Sequence, residues 1–121
     1  MNELVQHLAQ GEHPITVGGP KPSREDFHKR IEDIGYIFIK FTATQGGTDL
    51  GVQVEKTATD LTRANFADGI GIAHVEGTLT LNYVKVRCIA EVELSTLNGT
   101  GHLVILEEVQ PYAMAKNDGA I

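Results

Sequence analysis

The fold is decided by the stretch IGIAHVEGTLTLNYVKVRCIAEVELS, residues 70–95. Its apolar positions are odd from Ala73 to Leu81 and even from Val84 to Leu94, which is a strand-like alternation with one change of phase. A two-residue turn at Asn82-Tyr83 accounts for the change, because both halves then present their apolar side chains to one face. The stretch therefore predicts a long antiparallel hairpin. A bulge is the competing interpretation, since tyrosine rarely adopts a positive φ.

The same turn sets which side chains face each other across the hairpin. On the polar face, Thr78 meets Arg87 and His74 meets Glu91, an opposite-charge pair when the imidazole is protonated. The predicted apolar pairs are Leu81 with Val84, Leu79 with Val86, Val75 with Ala90, and Ala73 with Val92. The hairpin is thus expected to have one buried face and one ionisable face.

Two glycine-containing dipeptides predict further hairpins on either side. Glycine adopts a positive φ without steric cost, so Gly46-Gly47 and Asn98-Gly99 both suit tight two-residue turns. The pairs that follow are Ala43 with Leu50, Phe41 with Val52, Ile39 with Val54, Leu94 with Leu103, Val92 with Ile105, and Ser95 with His102. Residues 57–69 connect the first two hairpins as a loop, as a helical turn capped by Asp60, or as an irregular strand.

The N-terminal part of the chain contains one clearly signalled helix. Ser23 precedes an acidic first turn and suits the N-cap, while Phe27, Ile31 and Ile34 share one helical face. Gly35 then provides a residue for the left-handed position that ends a helix. This apolar stripe is expected to cover part of the sheet.

A shorter helix is predicted over residues 2–10. Asn2 would cap it, Leu4, Val5 and Leu8 would face inward, and Gly11 would end it. Between the two helices, the segment HPITVGGPKP at residues 13–22 is rich in proline and glycine, so we expect a loop there.

The predicted fold class is α+β, mainly β, with an antiparallel meander of at least five strands and a capped N-terminal helix packed on it. The meander is either an open curled sheet or a small barrel. Residues 1–110 are expected to form a single domain, helical or irregular over 1–35 and sheet over 36–109. Residues 111–121 are expected to be a flexible tail.

Composition excludes several classes of function. The chain has 121 residues, enough for one core, and a formal net charge of −6 that disfavours nucleic acids and anionic membrane surfaces as partners. Its one cysteine, Cys88, excludes an internal disulfide. With neither a secretory leader nor a long apolar run in the sequence, we expect a cytoplasmic protein.

The ionisable face is where chemistry is expected. It mixes charged side chains with apolar ones such as Ile89 and Val104, so we expect a ligand, the 57–69 segment or a second copy of the chain to cover part of it. An imidazole held by a carboxylate is a reasonable acid–base arrangement, and a guanidinium holds an anion. The candidate catalytic residues are His74 as acid or base, Glu91 as its orienter, and Glu76. The candidate substrate-binding residues are Arg87, Phe38, Lys40 and His102.

Other kinds of site have weaker support in the sequence. The charged group is more typical of a salt-bridge ladder on an exposed sheet than of an acid–base site, because spacing alone is weak evidence for catalysis. His74 and Glu76 lack the further histidines of a metal motif, so we expect neither a metal nor a cofactor. Cys88 falls on the apolar face and is expected to be buried and inert.

Two functions from different classes remain. The first is binding of a small, largely apolar ligand with a polar or acidic end, with a cofactor-independent isomerase or cyclase as the enzymatic form. The second is a non-catalytic, homodimeric interaction protein that pairs its outer faces or outer strands.

Overall fold

In the part of the chain that the structure describes, seven antiparallel strands form a sheet that closes on itself. The computed structural model describes residues 2–109, so the tail expected at 111–121 lies outside the described residues. The strands are β1 (His13–Val17), β2 (Tyr36–Phe41), β3 (Thr48–Val54), β4 (Ala64–Asn65), β5 (Ile70–Leu81), β6 (Val84–Glu93) and β7 (Asn98–Glu108). Their order is β3-β2-β1-β7-β6-β5-β4, and a further pairing of β3 with β5 closes six of them into a barrel. The predicted class is confirmed, in its barrel form.

The hairpin of β5 and β6 has the predicted register throughout. Leu81 pairs with Val84, and the pairing runs without interruption to Ile72 and Glu93. Asn82 and Tyr83 form the two-residue turn with φ values of 49° and 65°, so the alternative of a bulge is wrong. Both faces of this hairpin are therefore as the sequence predicted.

The hairpin of β2 and β3 has a wider turn than predicted. Phe41 pairs with Thr48, so residues 42–47 form the loop, and Ile39 faces Leu50 rather than Val54. Thr44 closes a turn inside this loop, since its carbonyl accepts the Gly47 amide at 2.9 Å and its hydroxyl lies 2.6 Å from that of Thr48. The displacement is an even number of residues, so the apolar faces stay as predicted.

The turn predicted at Asn98-Gly99 is also wrong. Glu93 pairs with Asn98, residues 94–97 form the turn, and Leu97 takes the positive φ of 62°. Gly99 lies inside β7, opposite Val92 of β6. The backbones of β6 and β7 approach so closely there that a Cβ on Gly99 would overlap the carbonyl oxygen of Glu91, which explains the glycine. His102 consequently faces Ile89 and not Ser95.

Residues 13–17 form β1 where the sequence predicted a loop. Ile15 and Val17 are buried and alternate with less buried neighbours, and β1 joins β2 to β7. Pro14 is accommodated near the start of the strand, where it has no amide to donate but its carbonyl accepts the Thr42 amide at 3.2 Å. The nearby prolines and glycines obscured this short alternation.

Both predicted helices are present, as α1 (Glu3–Leu8) and α2 (Arg24–Lys29). A wider, π-helical turn, Arg30–Ile34, extends α2, and the Gly35 amide donates to the Arg30 carbonyl at 2.7 Å. The wider turn rotates Ile34 out of the predicted stripe. Ile34 is 52% exposed, whereas Phe27 and Ile31 are buried.

Apolar side chains fill the interior of the barrel. The inward residues of the strands form one core with Val5 and Leu8 of α1 and Phe27 of α2. Among residues 2–109, no polar or charged residue is buried. Polar chemistry is therefore confined to the outer face of the barrel.

Candidate functional site

His74 lies between two carboxylates on the outer face. It shares that face of β5 with Glu76, and β6 places Glu91 directly opposite. Nε2 of His74 is 2.7 Å from a Glu76 oxygen, and Nδ1 hydrogen-bonds to Glu91. The predicted pair of His74 with Glu91 is confirmed, and all three candidate catalytic residues come together.

Three further charged residues extend this contact into an ionic ladder. Arg87 Nη1 lies 2.6 Å from Glu55 and 3.5 Å from Glu76. At the other end, Arg63 Nη2 lies 3.3 Å from Glu91. The ionic ladder thus consists, in order, of Arg63, Glu91, His74, Glu76, Arg87 and Glu55. Its charges alternate in sign when His74 is protonated, so every neighbour contact is attractive.

The ladder raises the pKa of His74 above its ordinary value. Burial on its own lowers this pKa, but the hydrogen bonds to Glu76 and Glu91 and the charges of the two carboxylates outweigh burial. Only the imidazolium donates from both ring nitrogens. The charged form is therefore the one that satisfies both carboxylates.

The segment that connects β3 to β5 covers one side of the ladder. It contains a single helical turn, Lys56–Ala58, and the short strand β4. The Asp60 amide donates to the His74 carbonyl at 2.8 Å, and the His74 amide donates back at 3.1 Å. Hydrogen bonds from the Thr62 hydroxyl and amide lower the pKa of Asp60. This cover leaves the side chains of His74 and Glu76 only 27% and 21% exposed.

The geometry of the ladder suits a structural ion-pair network better than a general base. A base needs a free lone pair, and both nitrogens of His74 already face carboxylates. The pairing of β3 with β5 has only two rungs, Gln53 with Thr78 and Val54 with Gly77. The ladder crosses this short seam where Glu55 meets Arg87, beside the backbone hydrogen bond from the Glu55 amide to the Glu76 carbonyl.

The remaining predicted binding residues do not join His74. Phe38 lies on β2, where the Arg30 guanidinium carbon is 4.9 Å from the centre of its ring. Lys40, also on β2, pairs with Asp49 near the first turn. His102 lies on β7 with Nδ1 2.9 Å from Glu12. Of the four predicted binding residues, only Arg87 belongs to the ladder.

A groove opens where the seam ends. Beyond the Gln53–Thr78 rung, β3 and β5 separate and leave a cavity of about 460 Å³. That volume is within the usual range for small-molecule sites. The lining residues of this seam groove are Tyr36, Gly51, Gln53, Thr78, Leu79, Thr80 and Lys85. The sequence analysis missed this site because it predicted no pairing of β3 with β5.

One glycine could have pointed to the groove. Gly51 lies inside β3, and a Cβ there would overlap the hydroxyl of Tyr36. A glycine in a strand indicates that another group approaches closely. Among the described lining residues, Lys85 has the only charge, and no carboxylate of residues 2–109 is within ion-pair distance of it.

Cys88 is buried, as predicted. It is 2% exposed, and burial raises the pKa of its thiol to about 12. A thiol of that kind is a poor nucleophile at neutral pH. Over residues 2–109, no group of three or more His, Cys, Asp or Glu side chains is arranged to hold a metal ion.

Comparison of the chain with family models and with curated proteins found no match. Within the described range, none of the helices has the length and apolar character needed to cross a membrane.

Proposed function

We propose that the protein binds a small molecule with an apolar body and an acidic end in the seam groove. The observation that supports this most directly is the Lys85 amine beside a cavity of about 460 Å³, which makes no ion pair within residues 2–109 although Glu107 lies opposite Lys85 on β7. The chain as a whole has a net charge of −6, whereas the one charged residue of the described groove lining is a lysine. An acidic group gains a charge-assisted hydrogen bond there.

Neutral polar groups complete the acidic end of the proposed site. Alternate residues of a strand direct their amides to the same neighbour, and the Glu55 amide donates to the Glu76 carbonyl of β5 at 2.8 Å. By this alternation the Gly51 amide also faces β5, at a level where the pairing has already ended. The Tyr36 hydroxyl lies directly over Gly51. Both are available to a ligand oxygen.

The apolar body of the ligand has a surface to contact as well. Leu79 points toward the barrel interior but is only half-buried, because β3 has moved away from it at this level. Tyr36, on the other wall, is 41% exposed. A short alkyl or aryl group between them removes apolar surface from water on both sides.

Titration with sodium octanoate, followed by amide chemical shifts, tests the proposal. The amides of Gly51, Thr78 and Thr80 are expected to shift most. Replacing Lys85→Gln is expected to weaken octanoate binding about tenfold, because a hydrogen bond to a charged group contributes about 1.5 kcal/mol. Lys21→Gln, an exposed lysine away from the groove, is the matched control.

Octan-1-ol has a similar alkyl chain to octanoate but no charge. It therefore separates the contribution of the carboxylate to binding from that of the alkyl chain. It is expected to bind more weakly than octanoate and to be insensitive to Lys85→Gln. The proposal is wrong if octanoate shifts no amide of the groove, or if Lys21→Gln and Lys85→Gln weaken binding equally.

The isomerase or cyclase hypothesis stays a prediction. His74 can accept a proton only after one carboxylate leaves its ring, so catalysis requires the ladder to open at that point. If turnover of a bound ligand is detected, unchanged turnover in a folded His74→Ala variant excludes the assignment.

A homodimeric interaction protein is the second candidate. β1 pairs with β7 only as far as Gly101, so within residues 2–109 the segment 102–108 has a neighbouring strand on one side. Val104 and Leu106 are 39% and 46% exposed there. Light scattering on the full chain tests this candidate, and a strict monomer at high concentration contradicts it.

We also propose a cytoplasmic location, which the single cysteine supports because it cannot form an internal disulfide. Cell fractionation tests it, and recovery in a secreted or membrane fraction contradicts it.

A further inference from the structure

The ionic ladder and the seam groove share the last rungs of the β3–β5 pairing. Gln53 pairs with Thr78 where the groove begins, and Thr78 pairs in turn with Arg87 of the ladder. On the side away from the groove, Glu55 contacts Arg87, and its amide donates to the Glu76 carbonyl at 2.8 Å. Thr78 therefore links the ladder to the groove, because it pairs with Arg87 of the ladder and with Gln53 of the groove wall.

His74 is the member of the ladder whose charge changes near neutral pH. When protonated, it donates to Glu76 and Glu91 from its two nitrogens. When neutral, one nitrogen becomes an acceptor and faces a carboxylate oxygen, which is a repulsive contact. Glu76 also contacts Arg87. If the neutral imidazole displaces the Glu76 carboxylate, Arg87 shifts with it, and the contact of Arg87 with Glu55 weakens.

We propose that the protonation of His74 controls the affinity of the seam groove for its acidic ligand. This inference rests on the proposed function of the groove. With His74 charged, the ladder is complete, and Gln53 and Thr78 are held where the ligand meets them. With His74 neutral, the end of β3 is released and the groove binds more weakly.

The charged groups around His74 come from three elements. Glu76 lies on its own strand, Glu91 lies on β6, and Asp60 lies on the segment bridged to the His74 backbone. Arg63 opposes them from behind Glu91. Because carboxylates predominate around the ring, the change in affinity is expected above the ordinary imidazole pKa of about 6.5.

The affinity for octanoate between pH 6 and pH 9 tests the inference. The octanoate carboxylate keeps its charge over this range. Wild-type affinity is expected to fall about fivefold as the pH rises, the lower end of the usual coupling between two sites. His74→Gln is expected to bind at the weaker level at every pH. His28→Gln, an exposed histidine stacked on Phe66, is the matched control and keeps the wild-type dependence.

Thermodynamic linkage provides a second readout that a purely structural role would not produce. If protonation strengthens octanoate binding, octanoate must raise the pKa of His74 by the logarithm of the same ratio, about 0.7 for a fivefold change. The ring-proton shifts of His74, followed against pH with and without saturating octanoate, measure this.

The outcomes separate this inference from the proposed function. Octanoate binding with the same affinity at pH 6 and pH 9, or a His74 pKa that octanoate leaves unchanged, overturns the inference and leaves the groove as a binding site. An absence of octanoate binding at every pH overturns both.

Discussion

The two ends of the β3–β5 seam consist of the same two strands but differ in what crosses them. At one end, Glu55 and Arg87 add an ion pair to the backbone pairing. At the other end, the strands part between Gly51 and Thr80, and a cavity takes the place of further rungs. The difference shows that a barrel closed by two rungs has an ion pair across one end of the seam and a cavity at the other end.

Adding a side chain where the backbones of β3 and β5 meet, at the closed end of the seam, is expected to cause the largest loss of stability. Gly77 lies so close to β3 that a Cβ on it would overlap the carbonyl oxygen of Gln53. Gly77→Ala must therefore push the strands apart, and we expect a loss of about 2–4 kcal/mol in the free energy of unfolding. Urea denaturation measures the loss.

Gly18→Ala is the control for that substitution. Its added Cβ would meet the Cβ of Phe38 at 3.4 Å, an ordinary van der Waals distance. A loss for Gly77→Ala no larger than the loss for Gly18→Ala would show that the strands at the seam are not held in close contact.

The central carboxylate of the ladder is expected to give the next largest effect. Glu76 contacts both His74 and Arg87, so Glu76→Gln weakens two contacts in one step. We expect a loss of about 1–2 kcal/mol in the free energy of unfolding, since each partly exposed ion pair contributes about 1 kcal/mol or less. Glu93→Gln, an exposed carboxylate on β6 that hydrogen-bonds only to Ser95 among described residues, should stay within about 0.5 kcal/mol.

A smaller effect is expected from the titration of His74. Its pKa is raised in the folded state, so its stabilising contribution is complete below the unfolded pKa of about 6.5 and is lost as the pH rises through the folded value. The stability of wild type relative to His74→Gln should therefore fall between pH 6 and pH 9, by at most about 1 kcal/mol because solvent screens these partly exposed groups. A difference that grows with pH would contradict the assignment.

The smallest stability change is expected at the open end. Lys85 makes no ion pair within residues 2–109, so Lys85→Gln should change the free energy of unfolding by less than about 0.5 kcal/mol while weakening octanoate binding. A large loss of stability would mean that Lys85 supports the fold and not a ligand.

The success of turn prediction depended on how many residues constrained the register. Residues 70–95 contain a long alternation on both sides of Asn82-Tyr83, and only a two-residue turn brings the two phases together. The dipeptides Gly46-Gly47 and Asn98-Gly99 were judged by local turn preference alone. Gly46 and Gly47 do have positive φ, but they lie inside a longer loop. Gly99 is a glycine because the backbone of β6 lies too close to it for a side chain.

The candidate site was predictable where it depends on one hairpin. The pair of His74 with Glu91 follows from the register of β5 and β6, which the sequence determines. The contacts of Arg63 and Glu55, and the seam groove itself, depend on strands distant in the chain. Whether β3 meets β5 is decided by the closure of the whole barrel, and no local pattern specifies that contact.

Amide hydrogen exchange along β3 tests the difference between the two ends of the seam most directly. The Glu55 amide, which donates to the Glu76 carbonyl, is expected to exchange at least about tenfold more slowly than the Gly51 amide, which faces the groove. His74→Gln is expected to accelerate exchange at Glu55 and to leave Gly51 unchanged. Equal protection at Glu55 and Gly51, or a Glu55 amide that does not respond to His74→Gln, would contradict a seam clamped at one end and open at the other.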